Sequence, residues 1–430
     1  MSRRMVALAL VLSVAGEARA QSLSQLIPNL FGSGGLTVRS ETQLPDGSNH
    51  SAHFNSSFQQ SFTPFNTALA SQLAAVPLPS PASGFTYTFD SSLGVFKRST
   101  QSFGPILSDR ADTVGRHKLS IGFNFQHFNF DSIDGVGLGS VPVVFTHDNP
   151  AAGTGRDDLV VTSNHIEVEL GQFTAFLNYG LFDRLDISLA IPVVSVDLAA
   201  TSIASIQRIG TTNPATHFFG EGGGDYGTSA TFAAEGSSTG IGDMIFRLKG
   251  TVYKEGSTAL ALGGEVRLPT GDEENLLGSG ATGLAPFLVF SSSHKTFSPH
   301  VMIAYQWNGD SVLAGDVGRG TKGDLPDQLF YQVGADVGVT KRLTLAADLL
   351  GRTVIDGQRM VADTFAALDG RSTFANVRFE TASFNVVNGA VGIKFNPAGN
   401  LLVDVNVLFK LNDAGLRDRI TPLVGFEYSF

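Results

Sequence analysis

Residues 239–272 read TGIGDMIFRLKGTVYKEGSTALALGGEVRLPTGD, and the chain continues through APFLVF at 285–290 and SPHVMIAYQWN at 298–308. Met244, Phe246, Leu248, Gly250 and Val252 are apolar or small, and Asp243, Arg247 and Lys249 alternate with them. Beyond a turn at 254–257, Leu260, Leu262, Val266 and Leu268 repeat the pattern against Glu265 and Arg267. A period of two sustained over nine or so residues is a β-strand with unlike faces. Leu and Val on one face and full charges on the other fit lipid outside and water inside, the pattern of a transmembrane β-barrel.

The rest of the chain obeys the same rule. At 430 residues, two soluble domains or one large barrel would fit. The 49 Gly and 33 Phe against 16% charged residues favour the barrel over a soluble surface. No apolar run has the roughly 20 residues of a spanning helix. Strands are expected near 117–130, 158–179, 184–198, 241–253, 258–269, 283–291, 297–308, 327–339, 343–355, 376–395, 400–411 and 419–430. Tight connections at 180–183, 254–257, 292–296, 340–342 and 396–399 face long ones at 131–157, 199–240, 270–282, 309–326 and 356–375; only 412–418 is short for its side. Short periplasmic turns and long extracellular loops are what such barrels carry. The last strand, with Phe426, Tyr428 and a terminal Phe430, resembles the C-terminal strand by which bacterial outer-membrane barrels are recognised by their assembly machinery. The expected fold is all-β: a transmembrane antiparallel β-barrel of about 12 strands, or 14 if a hairpin at 85–100 joins the wall.

Ahead of the barrel, Arg3 and Arg4, the apolar run 5–15 and Ala18-Arg19-Ala20 form a secretory signal peptide over 1–20. Its removal, with three Arg and one Glu, takes the formal charge from −10 to −12. A mildly acidic chain without basic clusters is a poor nucleic-acid binder. The absence of Cys excludes disulfides and thiol chemistry. Residues 21–116 hold one helical pattern at Leu23, Leu26, Ile27 and Leu30, a second at 64–75, and the hairpin. Two short helices and a hairpin cannot bury a core alone. This segment is therefore expected to plug the barrel formed by 117–430.

Several stretches resemble one family. GIGD (240–243), RLPTGD (267–272), SPH (298–300) with YQWNG (305–309), SFGPILSDRADTVGR (102–116) and FNFDSIDG (128–135) are similar to the outer-membrane family assigned to the meta-pathway of phenol degradation. The resemblance spans roughly residue 22 to the C-terminus. It implies a barrel that passes hydrophobic, aromatic-sized molecules, and it implies no catalytic residue and no cofactor. A more distant likeness to the fatty-acid channels, with their N-terminal hatch, points to the same plug.

Candidate chemistry is sparse. Gly236-Ser237-Ser238-Thr239-Gly240 matches G-x-S-x-G but reads as a flexible loop rather than a strand-to-helix elbow. Ser163, Asn164 and His165 are the residue types of an outer-membrane lipid hydrolase, an alternative function, with no second partner fixed beside them. A structural or adhesive barrel without transport is the other alternative. Residues 220–227 lack the Lys-Ser/Thr of a phosphate loop. The acidic tip Asp272, Glu273, Glu274 reads as solvated, and His50 with His53 has no carboxylate at ligand spacing, so no metal site is expected. The charges that alternation turns toward the lumen are more informative: Glu167, Glu169, Asp243, Arg247, Lys249, Glu265, Arg267, Asp336, Asp348, Arg352, Lys394, Asp404, Lys410 and Glu427. Both signs occur, so a cross-strand ion-pair lattice is expected, with Arg247 opposite Glu265. Three strands break their own alternation, at 125–128, at Gly171-Gln172 and at Pro192. A one-residue slip inverts every later side chain, so bulges at a common height are the expectation there, adjusting the wall's curvature or, as the alternative, opening a side exit.

Overall fold

The computed structural model describes residues 22–32, 35–36, 38–43, 86–90, 95–98, 102–105, 107–146, 158–210, 212–367 and 369–430. Its wall is a closed antiparallel barrel of 12 strands, each paired with its neighbours in the chain. In order these are β1 (Leu119–Ile133), β2 (Leu159–Phe182), β3 (Leu185–Gln207), a fourth strand in two pieces, β4 (Ser229–Ile241) and β5 (Met244–Glu255), then β6 (Thr258–Leu268), β7 (Gly283–Ser292), β8 (Phe297–Asn308), β9 (Gln328–Thr340), β10 (Leu343–Ala366), β11 (Thr373–Phe395), β12 (Leu401–Lys410) and β13 (Ile420–Ser429). Closure is made by β13 on β1, with Phe426 opposite Phe123 and Val424 opposite Phe125. The hairpin Tyr87–Asp90 with Val95–Arg98 is a separate two-stranded sheet, so the wall has 12 strands and not 14. The signal peptide and the helix expected at 64–75 lie outside the described residues. The helical spacing near the start forms a short helix, Leu23–Leu26, with Leu23, Leu26, Ile27 and Leu30 buried.

Around the lower wall Phe123, Phe125, Phe173, Leu177, Phe246, Leu248, Leu262, Leu288, Ile303, Val333, Leu345, Ile393 and Phe426 face outward, exposed for lipid to cover. Their neighbours, among them Asn124, Asn178, Asp186, Arg247, Lys249 and Lys394, are buried inside. This is the alternation read from the sequence, and it follows from lipid offering no partner to a polar group.

The three apparent slips are not bulges. β1 and β2 pair without interruption from Leu119 opposite Tyr179 to Phe130 opposite Val168. β2 and β3 pair from Leu159 opposite Gln207 to Gly180 opposite Asp186, and the one irregularity falls at the turn, between Gly180 and Phe182. Gln172 stands opposite Val194, and Pro192 opposite Thr174. What changes at this height is the surroundings, not the register. β2 and β10 are 24 residues long, and β3 and β11 are 23, against the roughly 9–11 that cross the hydrocarbon. Their upper halves project past the membrane, where water lies outside. Phe128, Phe130, Ile166, Val168, Leu170, Val194, Val196 and Leu198 therefore turn inward and are buried. Asn129, Glu167, Glu169 and Asp197 are exposed on the outer surface, so the two glutamates do not line the lumen. Much of what alternation left as long loops continues as this raised wall, including Gly236–Gly240, which lies within β4 rather than in a loop.

The real irregularity is on the strand beside Pro192. β3 pairs with β5 up to Ala190 opposite Ile245, then with β4 from Val193 opposite Ile241. One extra residue is absorbed at Gly242-Asp243, and the Gly242 N–H donates to the Pro192 carbonyl at 2.8 Å. A bulge beside a proline suits both, since proline brings no N–H of its own to the ladder.

Candidate functional site: the barrel lumen

The lower lumen is crossed by residues 102–114, which no strand pattern marks. Their contacts run round the wall. Ser102 Oγ donates to Asp336 of β9, and the Phe103 N–H to Thr344 Oγ1 of β10 at 3.0 Å. Ser108 Oγ donates to Asp348 Oδ1 at 2.6 Å and lies 2.6 Å from His300 Nε2 of β8. The Ala111 N–H donates to Ser291 Oγ of β7, and the Val114 N–H to Asp186 Oδ2 of β3.

Asp109 is the centre of this clasp. Its carboxylate, 1% exposed, accepts from Arg247 at 2.6 Å and from Lys249 at 3.2 Å, both on β5. Lys249 Nζ also donates to the carbonyls of Arg110 and Asp112, each at 2.9 Å, so all its protons are spent on this one segment. Thr251 Oγ1 donates to the Ala111 carbonyl at 2.6 Å. Across the two ladders of β5, Arg247 faces Glu265 and Lys249 faces Asp186, and the segment adds Asp109 between the two cations.

The expected lumen residues divide into three sets. Lys249, Asp336 and Asp348 grip residues 102–114, and Lys394 lies buried near the same end, directly opposite Asp404. Asp243, Arg247, Glu265, Arg267 and Arg352 line a cavity above the segment. Lys410 sits at the upper rim, 3.5 Å from Asp131 and 3.1 Å from Asp413. Arg247 does stand opposite Glu265, with Nε 3.2 Å from Oε1, but its shorter contact is to Asp109. Asp243 turns its oxygens to the backbone N–H groups of Gly271 and Ser279 and so anchors the loop after β6. Glu265 is partly open to water, so Glu265→Gln should cost at most about 1 kcal/mol of unfolding free energy in a denaturant titration.

The cavity measures about 260 Å³. Leu107 and Asp109 lie on its floor; Phe128, Leu170, Pro192, Val194, Phe330, Leu350 and Leu408 form much of its wall; Leu276, Leu277 and Leu416 also line it. Its polar lining includes Gln172, Gln306, Gln328, Gln332, Asn388 and four Arg side chains, of which Arg247 and Arg267 are paired with carboxylates. An apolar cavity of about 150 Å³ already accommodates benzene, so a substituted single ring fits this volume.

The other candidates do not assemble. Ser163 Oγ is bonded to Ser140 Oγ, and His165 to Glu167 and the Gly139 carbonyl, all on the outer surface; no hydrogen bond joins Ser163 to His165 among the described residues. Asp272 accepts from Asn275, and Glu273 from Ser311. His50 and His53 lie outside the described residues. Reading the sequence missed Asp109 and Ser108. Their one signal is a polar, non-alternating run, S-D-R-A-D over 108–112, placed just ahead of the first strand of the barrel.

Residues 148–415 match the family model for the MetA-pathway of phenol degradation. Among curated proteins none matches this sequence. Solved structures of similar course include the COG4313 outer membrane channel from Pseudomonas putida F1, at 12% identity and a TM-score of 0.45 over 75% of this chain and 99% of that one. A FadL homologue of Pseudomonas aeruginosa is 10% identical, with a TM-score of 0.29 over 73% of this chain and 89% of that one. The TodX monoaromatic hydrocarbon channel is 11% identical, with a TM-score of 0.34 over 81% and 95%.

Proposed function

The chain belongs to the family of the MetA-pathway of phenol degradation, and from that premise we propose that it is a passive outer-membrane channel for small hydrophobic compounds, single aromatic rings among them. The observation that carries this reading is the inverted upper lumen: a largely apolar cavity of about 260 Å³ inside a closed barrel, floored by residues 102–114. A solute leaving water gains roughly 25 cal/mol for each Å² of apolar surface it buries there. Flux follows the solute's own gradient. The signal peptide 1–20 exports the chain, the strand ending at Phe426, Tyr428 and Phe430 engages the assembly machinery, and outer-membrane lipids cover the lower wall. Residues 21–116 act as the plug of the barrel formed by 117–430, and passage requires the floor to yield.

Uptake of radiolabelled toluene by intact Gram-negative cells tests this, because their outer leaflet slows the entry of such molecules. Cells making the protein should take up toluene faster than cells making a barrel of equal size without an apolar lumen. Equal rates would sink the channel reading.

A further inference from the structure

Among the described residues Arg417 makes no ion pair, and Asp413, Asp131 and Asp418 attract it only from a distance. Arg417, on the short strand Leu416–Asp418 that extends the wall beside β1, is 3% exposed and lines the cavity. Its guanidinium donates to two neutral oxygens, the Val387 carbonyl at 2.8 Å and Asn388 Oδ1 at 2.6 Å. Its Nε–H has no hydrogen-bond partner, and no carboxylate oxygen lies within 4 Å of it among the described residues. The adjacent carboxylate, Asp418, is turned away to the N–H groups of Asn129 and Ile420 and the hydroxyl of Thr421. Arg247 and Lys249, by contrast, hold Asp109, and Arg267 lies 3.7 Å from Asp243. A second guanidinium, Arg352, 8% exposed, lines the same cavity. Phe128, Phe130, Leu350 and Leu408 line the same cavity.

A buried guanidinium with an unused N–H beside apolar walls is stabilised by a ligand that brings an anion on an apolar body. Resting on the channel reading above, we propose that the cavity binds small amphiphiles with an anionic head, aromatic or short alkyl carboxylates. The carboxylate sits at Arg417, on the side where Arg352 adds positive potential, and the hydrocarbon lies on Phe128, Leu350 and Leu408. The channel would then favour the ionised acid over a neutral molecule of the same shape.

Equilibrium dialysis of the purified full-length barrel against radiolabelled benzoate and benzamide, which share shape but not charge, tests this. The wild-type protein should bind benzoate at least about tenfold more tightly than benzamide, the ratio that one charge-assisted hydrogen bond supports. Arg417→Gln should remove that preference while leaving benzamide binding within about twofold, and Arg417→Lys should retain part of it. Retained benzamide binding shows in the same tubes that the variant cavity is intact. Equal affinity of the wild-type protein for the two ligands, or a preference that survives Arg417→Gln, overturns the anion site and leaves the channel reading standing. Failure of the wild-type protein to bind either ligand overturns both.

Discussion

Asp109→Asn should open the barrel. The substitution keeps the side chain's size and removes the charge that holds Arg247 at 2.6 Å and Lys249 at 3.2 Å. Both cations are buried, and breaking a buried ion pair costs about 3–5 kcal/mol, at the lower end here because Arg247 keeps Glu265 and Lys249 keeps Asp186 opposite it. Residues 102–114 are not part of the wall, so the lesion can be relieved by moving the segment and letting water reach β5. A loss of 3 kcal/mol multiplies the released fraction by on the order of a hundredfold. In planar bilayers the variant should conduct ions more often and with larger steps than the parent, and limited proteolysis should cut between 102 and 114. Glu265→Gln, which removes the other partner of Arg247, should do neither. If Asp109→Asn conducts and resists proteolysis like the parent, the clasp does not hold the floor.

Leu170→Glu should abolish hydrocarbon uptake, and Glu169→Leu should leave it nearly unchanged. The two positions are neighbours on β2, and only their faces differ. Leu170 is 2% exposed inside the cavity wall, between Phe128 on β1 and Val196 on β3. A carboxylate there has no partner and costs several kcal/mol, or it draws water into the apolar passage. Glu169 is exposed on the outer surface, where a substitution is worth about ±0.5 kcal/mol. Toluene uptake by cells, with heat-modifiable mobility on gels as the check that each barrel has folded, reads both variants. Had the wall slipped at Gly171, the two substitutions would exchange effects, so the pair measures the register above that residue directly.

The amino-acid sequence determined the architecture of the wall. Unlike faces with a period of two identify a strand wherever one side is lipid, and that local rule found all 12 strands. Because a turn fixes pairing, it also found the register that sets Arg247 opposite Glu265. It could not determine which side a given apolar stripe faces. Above Gly171 and Pro192 the stripe changes faces. A bulge produces that sign in a strand with constant surroundings, and so does a regular strand that rises out of lipid into water. The choice depends on how far each strand projects, and that is set by its neighbours. The clasp at Asp109 lay beyond local pattern for a different reason. Asp109 and Lys249 are 140 positions apart, and their meeting follows from closure of the barrel around a segment with no period of its own. The same closure brings Arg417, beside β1, and Arg352, on β10, to one cavity.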